Sequence, residues 1–401
     1  MKNILFITHL YPYPPDDGGR IVTFNTIKEL RKYGHNIFLC TFAEKDISLK
    51  EIPLDITYSV IPFSYKNSYD KLIKNLFQKK PYNMEKYINK EMASKINSIL
   101  EENNIELVYV DHLHMAYYGA MIKEKYPNLP VVLRQHNVES TIFERAVQEE
   151  SNKLKRIYLK HQYKKLFQYE SKIVDIFEEV YTITEEDKYR LHSMNERAKI
   201  KNLPAGVDTE KYSPIENIEG NLEPTIVFLG TMSWLPNVNG VEWFIKDIFP
   251  KVLAKYPNLK FYIVGKNPPE KIYKYQNMYK ENLIITGYVD DERPYIAKAD
   301  AFIVPLKIGG GMRIKILNAL AMKTAIVTTT VGVEGISLGK GSILIADSEE
   351  QFSSAILDIL GDKQFSTETA LNGLYEVKQK YSNESILKAH ARNLENISNV
   401  N

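Results

Sequence analysis

Cysteine is all but absent: Cys40 stands alone in 401 residues, so neither an intramolecular disulfide nor a thiolate metal cage can form. It lies in the apolar run 37–41, where it reads as strand packing rather than as a reactive thiol. No stretch approaches the ~20 apolar residues a membrane-spanning helix needs. The opening Met1-Lys2-Asn3-Ile4-Leu5-Phe6-Ile7 reaches a polar Thr8 too soon for a signal peptide. These absences predict a cytoplasmic protein. An excess of one charge is missing too. The 52 Lys and Arg against 50 Asp and Glu leave a net +2, which gives no basic field for nucleic acid. The dinucleotide fingerprint G-x-G-x-x-G does not occur, which argues against a nicotinamide dehydrogenase. Nor is there an Asp-x-Asp pair to hold a metal; Asp16-Asp17 and Asp290-Asp291 are adjacent pairs of the kind that cap turns.

What is present is a strand–helix grammar, written twice. At 401 residues two domains are the default. The run Asn3–Thr8 is continuously apolar, as a strand buried on both faces would be. A loop ending in Gly18-Gly19 follows, then an amphipathic helix stopped by Gly34, then a second strand from Asn36. Further strands are predicted at 58–62, 107–110, 131–134 and 179–183, with helical stretches between most of them. The pattern restarts at 225–230, continues through a helix over 238–256, and adds strands at 261–265, 283–286, 301–305 and 325–328, with a helix over 312–322 before the last. Pro204, Gly206, Pro214 and Gly220 mark the boundary. The expected organisation is an α/β chain of two Rossmann-like domains, 1–205 and 206–380, facing each other across a cleft. A C-terminal helix over 382–399, within a segment 381–401, could pack back on the first domain.

Two loops carry the chemistry. Paired glycines at Gly18-Gly19 let backbone approach a ligand, and the helix start offers N–H groups to an anion, although a plain tight turn would use the same residues. The segment Gly309-Gly310-Gly311-Met312-Arg313-Ile314-Lys315 places backbone donors after a strand and two cations in the next helix's first turn. Cations there oppose the helix dipole unless an anion sits beside them, and a diphosphate is such an anion. Two basic stretches, 66–86 and 153–172, interleave lysines with Ile73, Leu76, Phe77, Tyr158, Tyr163 and Phe167. They read as solvated helix faces or as surfaces that rest on anionic lipid.

The donor segment, continued through Ile316-Leu317-Asn318-Ala319-Leu320-Ala321-Met322, resembles that of family 4 glycosyltransferases of the GT-B fold. Gly206-Val207-Asp208, Gly230-Thr231-Met232-Ser233-Trp234-Leu235-Pro236-Asn237, Thr286-Gly287-Tyr288-Val289 and Gly332-Val333-Glu334-Gly335-Ile336 are similar to further family pieces in the same order. Arg134-Gln135-His136-Asn137-Val138-Glu139 is similar to a subgroup's Arg-x-His-Asn-x-Glu. The resemblance implies that His136 faces the donor sugar near its anomeric centre. It implies that Gly18 and Gly19 hold the diphosphate from one side, while Arg313 and Lys315 neutralise it from the other. Gly230, Thr231 and Asn237 would form a phosphate loop, Tyr288 and Val289 would meet the base through backbone groups, and Gly310, Gly311 and Met312 would lie against sugar and phosphates. Asn318 departs from the family's glutamate, which accepts from the ribose hydroxyls. The implied function is transfer of a sugar from a nucleotide-diphosphate donor to a glycan or lipid-linked acceptor, in surface polysaccharide or glycoconjugate synthesis. It would be retaining, with no cofactor and no metal; the two basic stretches, where they are not simply solvated, would give it peripheral contact with the inner face of an anionic membrane. Asn318 also leaves open an inactive GT-B scaffold that serves as a binding partner. A nucleotide-sugar epimerase shares the architecture but wants acidic residues that this segment lacks.

Overall fold

The computed structural model of the chain describes residues 1–45, 48–216, 222–309 and 311–397. Gly220 and Gly310 lie outside the described residues. The chain divides into two compact units, one of Met1–Pro204 with Ile386–Asn401, the other of Ala205–Ser385.

The first unit is built on a seven-stranded sheet in the order β3-β2-β1-β4-β5-β6-β7. Its strands are β1 (Asn3–Thr8), β2 (Asn36–Glu44), β3 (Thr57–Phe63), β4 (Leu107–Asp111), β5 (Val131–Gln135), β6 (Glu179–Thr182) and β7 (Ile200–Asn202). Every pairing is parallel. The unbroken apolar runs are explained by burial on both faces. Along β1, Leu5 and Ile7 enter one core with Val108 and Val110, while Ile4 and Phe6 enter the opposite core with Leu107 and Tyr109. Cys40 is buried in β2, and burial pushes its thiol up to about 12. The strand order reverses between β1 and β4, and the crevice at such a switch point is where open α/β sheets present their carboxyl-end loops.

The second unit has a six-stranded sheet in the order β10-β9-β8-β11-β12-β13. It comprises β8 (Thr225–Leu229), β9 (Lys260–Val264), β10 (Leu283–Gly287), β11 (Ala301–Val304), β12 (Ala325–Thr328) and β13 (Leu344–Ile345), again all parallel. Its switch point lies between β8 and β11.

Two helices differ from their sequence expectation. The one expected over 238–256 starts earlier, at Leu235, with Pro236 in its first turn, where proline's missing N–H costs nothing. It then widens into a π turn at Phe244–Ile248 before Phe249–Leu253; Pro250 has no N–H to continue the regular ladder. The one expected over 312–322 runs only Ile314–Ala321. Arg313 is its N-cap residue, with φ −93° and ψ 88°, and so lies outside the first turn. The C-terminal helix is Asn383–Asn396. Among the described residues no helix is long and apolar enough to cross a membrane.

Candidate donor and catalytic sites

In the second unit, β8 ends at Leu229 and the chain turns through Gly230 into the helix Leu235–Trp243. Lys315, in the first turn of the helix Ile314–Ala321, reaches back to this turn. Its Nζ donates to the Leu229 carbonyl at 2.7 Å and to Asn237 Oδ1 at 3.2 Å, and lies 4.3 Å from the Phe228 ring centre. Asn237 in turn donates to the Thr231 carbonyl at 2.8 Å. A side chain at Gly230 would sit 2.7 Å from Asn237 Nδ2 and 3.0 Å from Lys315 Nζ, so glycine is what lets the three close up. Burial, and then the neighbouring Arg313, lower the Lys315 ammonium to about 7.

Arg313 is buried, donates to the Gly311 carbonyl, and stacks at 5.5 Å over Trp234. Gly309 and Gly311 hold φ of 128° and 81°, conformations that L side chains rarely adopt. Met312 packs on the apolar cluster beneath β11, and Val289 on the same cluster, whereas Tyr288 after β10 is 65% exposed. Asn318 is buried on its helix. The structure therefore gathers Gly230, Thr231, Asn237 and Lys315 around the end of β8, with Arg313 between Gly311 and Trp234 next in the chain.

In the first unit, β4 ends in Asp111, which is fully enclosed. Its Oδ1 lies 3.0 Å from His136 Nε2, and its Oδ2 accepts from Thr23 Oγ1 at 2.6 Å and Thr8 Oγ1 at 3.4 Å. Burial by itself would raise this carboxyl. The imidazoles of His136 and His112, with the hydrogen bonds from His136 and Thr23, outweigh that and hold it below the usual carboxylate range. An ionised carboxylate only accepts, so His136 Nε2 carries the proton shared with Asp111. The His112 ring stacks on His136 with centroids 3.6 Å apart.

Gly18 and Gly19 open the helix Gly18–Lys32, which Asp17 caps by accepting from the Arg20 N–H at 3.0 Å. Arg20 binds both Asp16 and Asp17 through Nη1, at 3.0 and 2.6 Å. A side chain at Gly18 would touch nothing within 4 Å. One at Gly19 would approach no atom closer than 3.5 Å, with His112 Cε1 at 3.8 Å. Packing does not require these glycines.

The glycosyl transferases group 1 model matches residues 223–362, and the glycosyltransferase family 4 model matches residues 17–211. Between them they take in the whole second sheet, every strand of the first but β1, and Asp111, His136, Arg313 and Lys315. The chain belongs to the family 4-like group 1 glycosyltransferases. This glycosyltransferase is 23% identical to an uncharacterized 44.6 kDa protein in the cps region of Klebsiella pneumoniae, over 97% of this chain and 99% of the other. It is 24% identical to a phosphatidyl-myo-inositol mannosyltransferase of Mycolicibacterium smegmatis over 40% of this chain and 43% of that one. Among solved structures it resembles sucrose-phosphate synthase from Thermosynechococcus elongatus, with a TM-score of 0.74, 15% identity and 98% of each chain covered. It also resembles Anabaena HepE in complex with UDP, with a TM-score of 0.69, 14% identity, and 98% and 100% covered. These likenesses show the two-domain GT-B fold.

Sequence reasoning missed Asp111, although it is the partner of His136 in this glycosyltransferase. The available signal was an acid closing a buried strand, immediately before His112-Leu113-His114. Arg134, quoted only as part of a motif, is a buried brace. Its Nη1 donates to Thr26 Oγ1 at 2.5 Å and its Nη2 to the carbonyls of Leu203 and Pro204 at 3.2 and 3.4 Å. Asp291 is likewise structural, binding Arg293 Nη2 at 2.7 Å.

Proposed function

We propose that this glycosyltransferase moves a sugar from a nucleoside-diphosphate donor to a glycan or lipid-linked acceptor, with retention at the anomeric carbon and no metal at the diphosphate. The observation that carries the donor reading is Lys315, an enclosed ammonium whose two hydrogen-bond partners, the Leu229 carbonyl and the Asn237 amide, are both neutral. Burying a cation without a counter-charge is costly, and a diphosphate oxygen would repay that cost while the bond to the leaving group breaks. Arg313 adds a second charge, and Gly230, Thr231 and Gly311 add backbone. Met312 would lie against the sugar, Asn318 would accept from a ribose hydroxyl, and Tyr288 and Val289 would meet the base through main-chain groups. In the first unit, Gly18 and Gly19 give open backbone N–H groups for phosphate, and the Asp111-backed His136 is the group offered to the sugar.

HepE of Anabaena bound to UDP, and a trehalose-6-phosphate protein of E. coli bound to UDP-2-fluoro glucose, make UDP the first donor base to test. The cps region of the Klebsiella relative supports a role in surface polysaccharide synthesis. For a lipid-linked acceptor we place the membrane contact on the exposed Ile73, Phe77, Leu154 and Ile157, set among lysines.

The test is calorimetric titration and thermal shift with UDP, GDP, ADP and their sugar conjugates. One nucleotide, at about a hundred times its Kd, should stabilise the chain by ~2.7 kcal/mol. Lys315→Ala should bind it about 10–100-fold more weakly, the cost of a lost charge-assisted contact. A wild-type chain indifferent to every nucleotide, or a Lys315→Ala variant that binds as well as wild type, overturns the reading. In the same mixtures, the product should keep the donor's anomeric configuration by NMR, and turnover should persist without Mg²⁺ or Mn²⁺.

A further inference from the structure

Three imidazoles in the first unit, one of them stacked on His136, are not among the groups offered to the donor. His9 follows β1; His112 and His114 belong to the short 3-10 turn Leu113–Met115 and its cap after β4. The His9 ring lies 4.3 Å from that of His112 and 4.8 Å from that of His114, centroid to centroid. One ligand nitrogen from each residue falls within 4.8 Å of the other two.

Each ring also keeps a buried nitrogen that meets no hydrogen-bond partner among the described residues: His9 Nδ1, His112 Nε2 and His114 Nδ1. A buried polar atom left in this way costs about 1–3 kcal/mol. Three on rings this close together are therefore an unusual expense for a core that could have used apolar residues. Burial, chiefly, lowers all three imidazoles from their ordinary value, His114 to about 3, which favours the ring form with a lone pair to give. The backbone adds a separate sign. His112 holds φ 71° and ψ 142°, a conformation nearly confined to glycine that costs of order 1–3 kcal/mol and persists at sites where a side chain must be aimed.

We propose that His9, His112 and His114 form a binding site for one divalent transition-metal ion of the zinc class, held through three imidazole nitrogens with a fourth position open to water. Neutral imidazole suits zinc and its neighbours, and poorly suits magnesium or calcium. Nitrogen ligands about 2.0–2.1 Å from a tetrahedral ion lie about 3.3 Å apart, within reach of small side-chain rotations from the observed spread. The local charge is mixed. The Asp111 carboxylate, 3.7 Å from His112 Nε2, favours a cation, and Lys86, which acts on His9 and His114, opposes one. Because the His112 ring stacks on His136, an ion there would fix the wall against which His136 stands. This departs from the sequence expectation of a metal-free chain, and it is independent of the donor reading.

The test uses the full chain without an affinity tag, grown with zinc. Elemental analysis should find about one zinc per chain. Removal by a chelator should lower the melting temperature, and zinc should restore it. Cobalt added to the stripped protein should give the visible bands of a tetrahedral nitrogen site. His9→Ala and His114→Gln should each lose most of the metal and the cobalt bands. Should either variant fail to fold, the cobalt titration of the wild type decides alone. A wild-type chain that takes up neither ion, with a melting temperature blind to both, overturns the proposal and assigns the nitrogens to buried water. Full metal retention by the folded variants overturns it equally. No readout involves a nucleotide, so failure here is distinct from failure of the donor site.

Discussion

Glu139 opens the helix Glu139–Glu149, three residues after His136. Burial, then Glu170, then Asp187 push its carboxyl up to about 8. Glu170 is raised to about 7 by burial, even though it accepts from the N–H groups of Glu139 and Ser140 at 3.0 Å each. A carboxyl whose folded pKa is raised lends its stability below the unfolded value, near 4.5, and loses it as pH climbs through about 8. Glu139→Gln mimics the protonated form and removes that slope. Urea melts should therefore find the variant close to wild type at pH 5 and more stable by roughly 2 kcal/mol at pH 8.5. A difference that stays flat with pH would mean that Glu139 is ionised throughout. The same scale shows where sequence reading stops. His136, Arg313 and Lys315 could be named from motifs. The pairing of His136 with Asp111 closes between strand ends 25 residues apart, and His9 meets His112 across more than a hundred, distances that no local spacing encodes.

At the scale of elements, strands were the legible part. β1, β8 and β11 bury both faces, so composition alone marks them. β7 is Ile-Lys-Asn and β13 is two residues long; neither has enough apolar pattern to announce itself, and each exists because a neighbouring strand offers its edge. The helix Ile314–Ala321 starts two residues later than its pattern predicts because a run of glycines and a methionine carries no capping side chain to mark a start. The basic stretches resolve into the helices Tyr69–Asn75 and Lys153–Ile173. They are joined where His161 Nε2 meets the Leu76 carbonyl at 3.2 Å and Lys165 Nζ the Asn75 carbonyl at 2.5 Å. Phe77 is 89% exposed and Leu154 81%, large apolar side chains that would gain by entering lipid if the lysines beside them met its headgroups. The chain is expected to sediment with phosphatidylserine vesicles and to stay in solution with neutral ones. The double substitution Phe77→Ser, Leu154→Ser should cut the bound fraction several-fold. Equal recovery with both vesicle types would remove this face from the acceptor's path.

At the scale of the whole molecule, the helix Asn383–Asn396 returns the chain to the unit where it began. Leu387, Ala391 and Leu394 are buried in the core with Ile4, Phe6 and Leu30. His390 Nε2 lies 3.1 Å from the Tyr109 hydroxyl, and Asn393 Nδ2 donates to Glu179 and to the Tyr181 hydroxyl, each at 2.8 Å. Removing residues 386–401 strips these side chains from the first unit, a loss of roughly 5 kcal/mol. Both tryptophans, Trp234 and Trp243, lie in the second unit, so the units can be watched apart. In the shortened chain, far-ultraviolet circular dichroism should show an early urea transition, with tryptophan fluorescence melting as before. One coincident early transition would mean that the helix supports both units.

That returning helix also sets an order of events during synthesis. The second unit is contiguous, Ala205–Ser385, and can close as soon as its own residues have left the ribosome. The first unit is translated earlier and finished later. At ~5–20 residues per second it waits about 10–40 s for the helix that covers Tyr109. Through that interval the apolar face around Ile4, Phe6 and Leu30 is open, and a nascent chain in that condition is a client for chaperones. The returning helix therefore completes the part of the protein that was translated first.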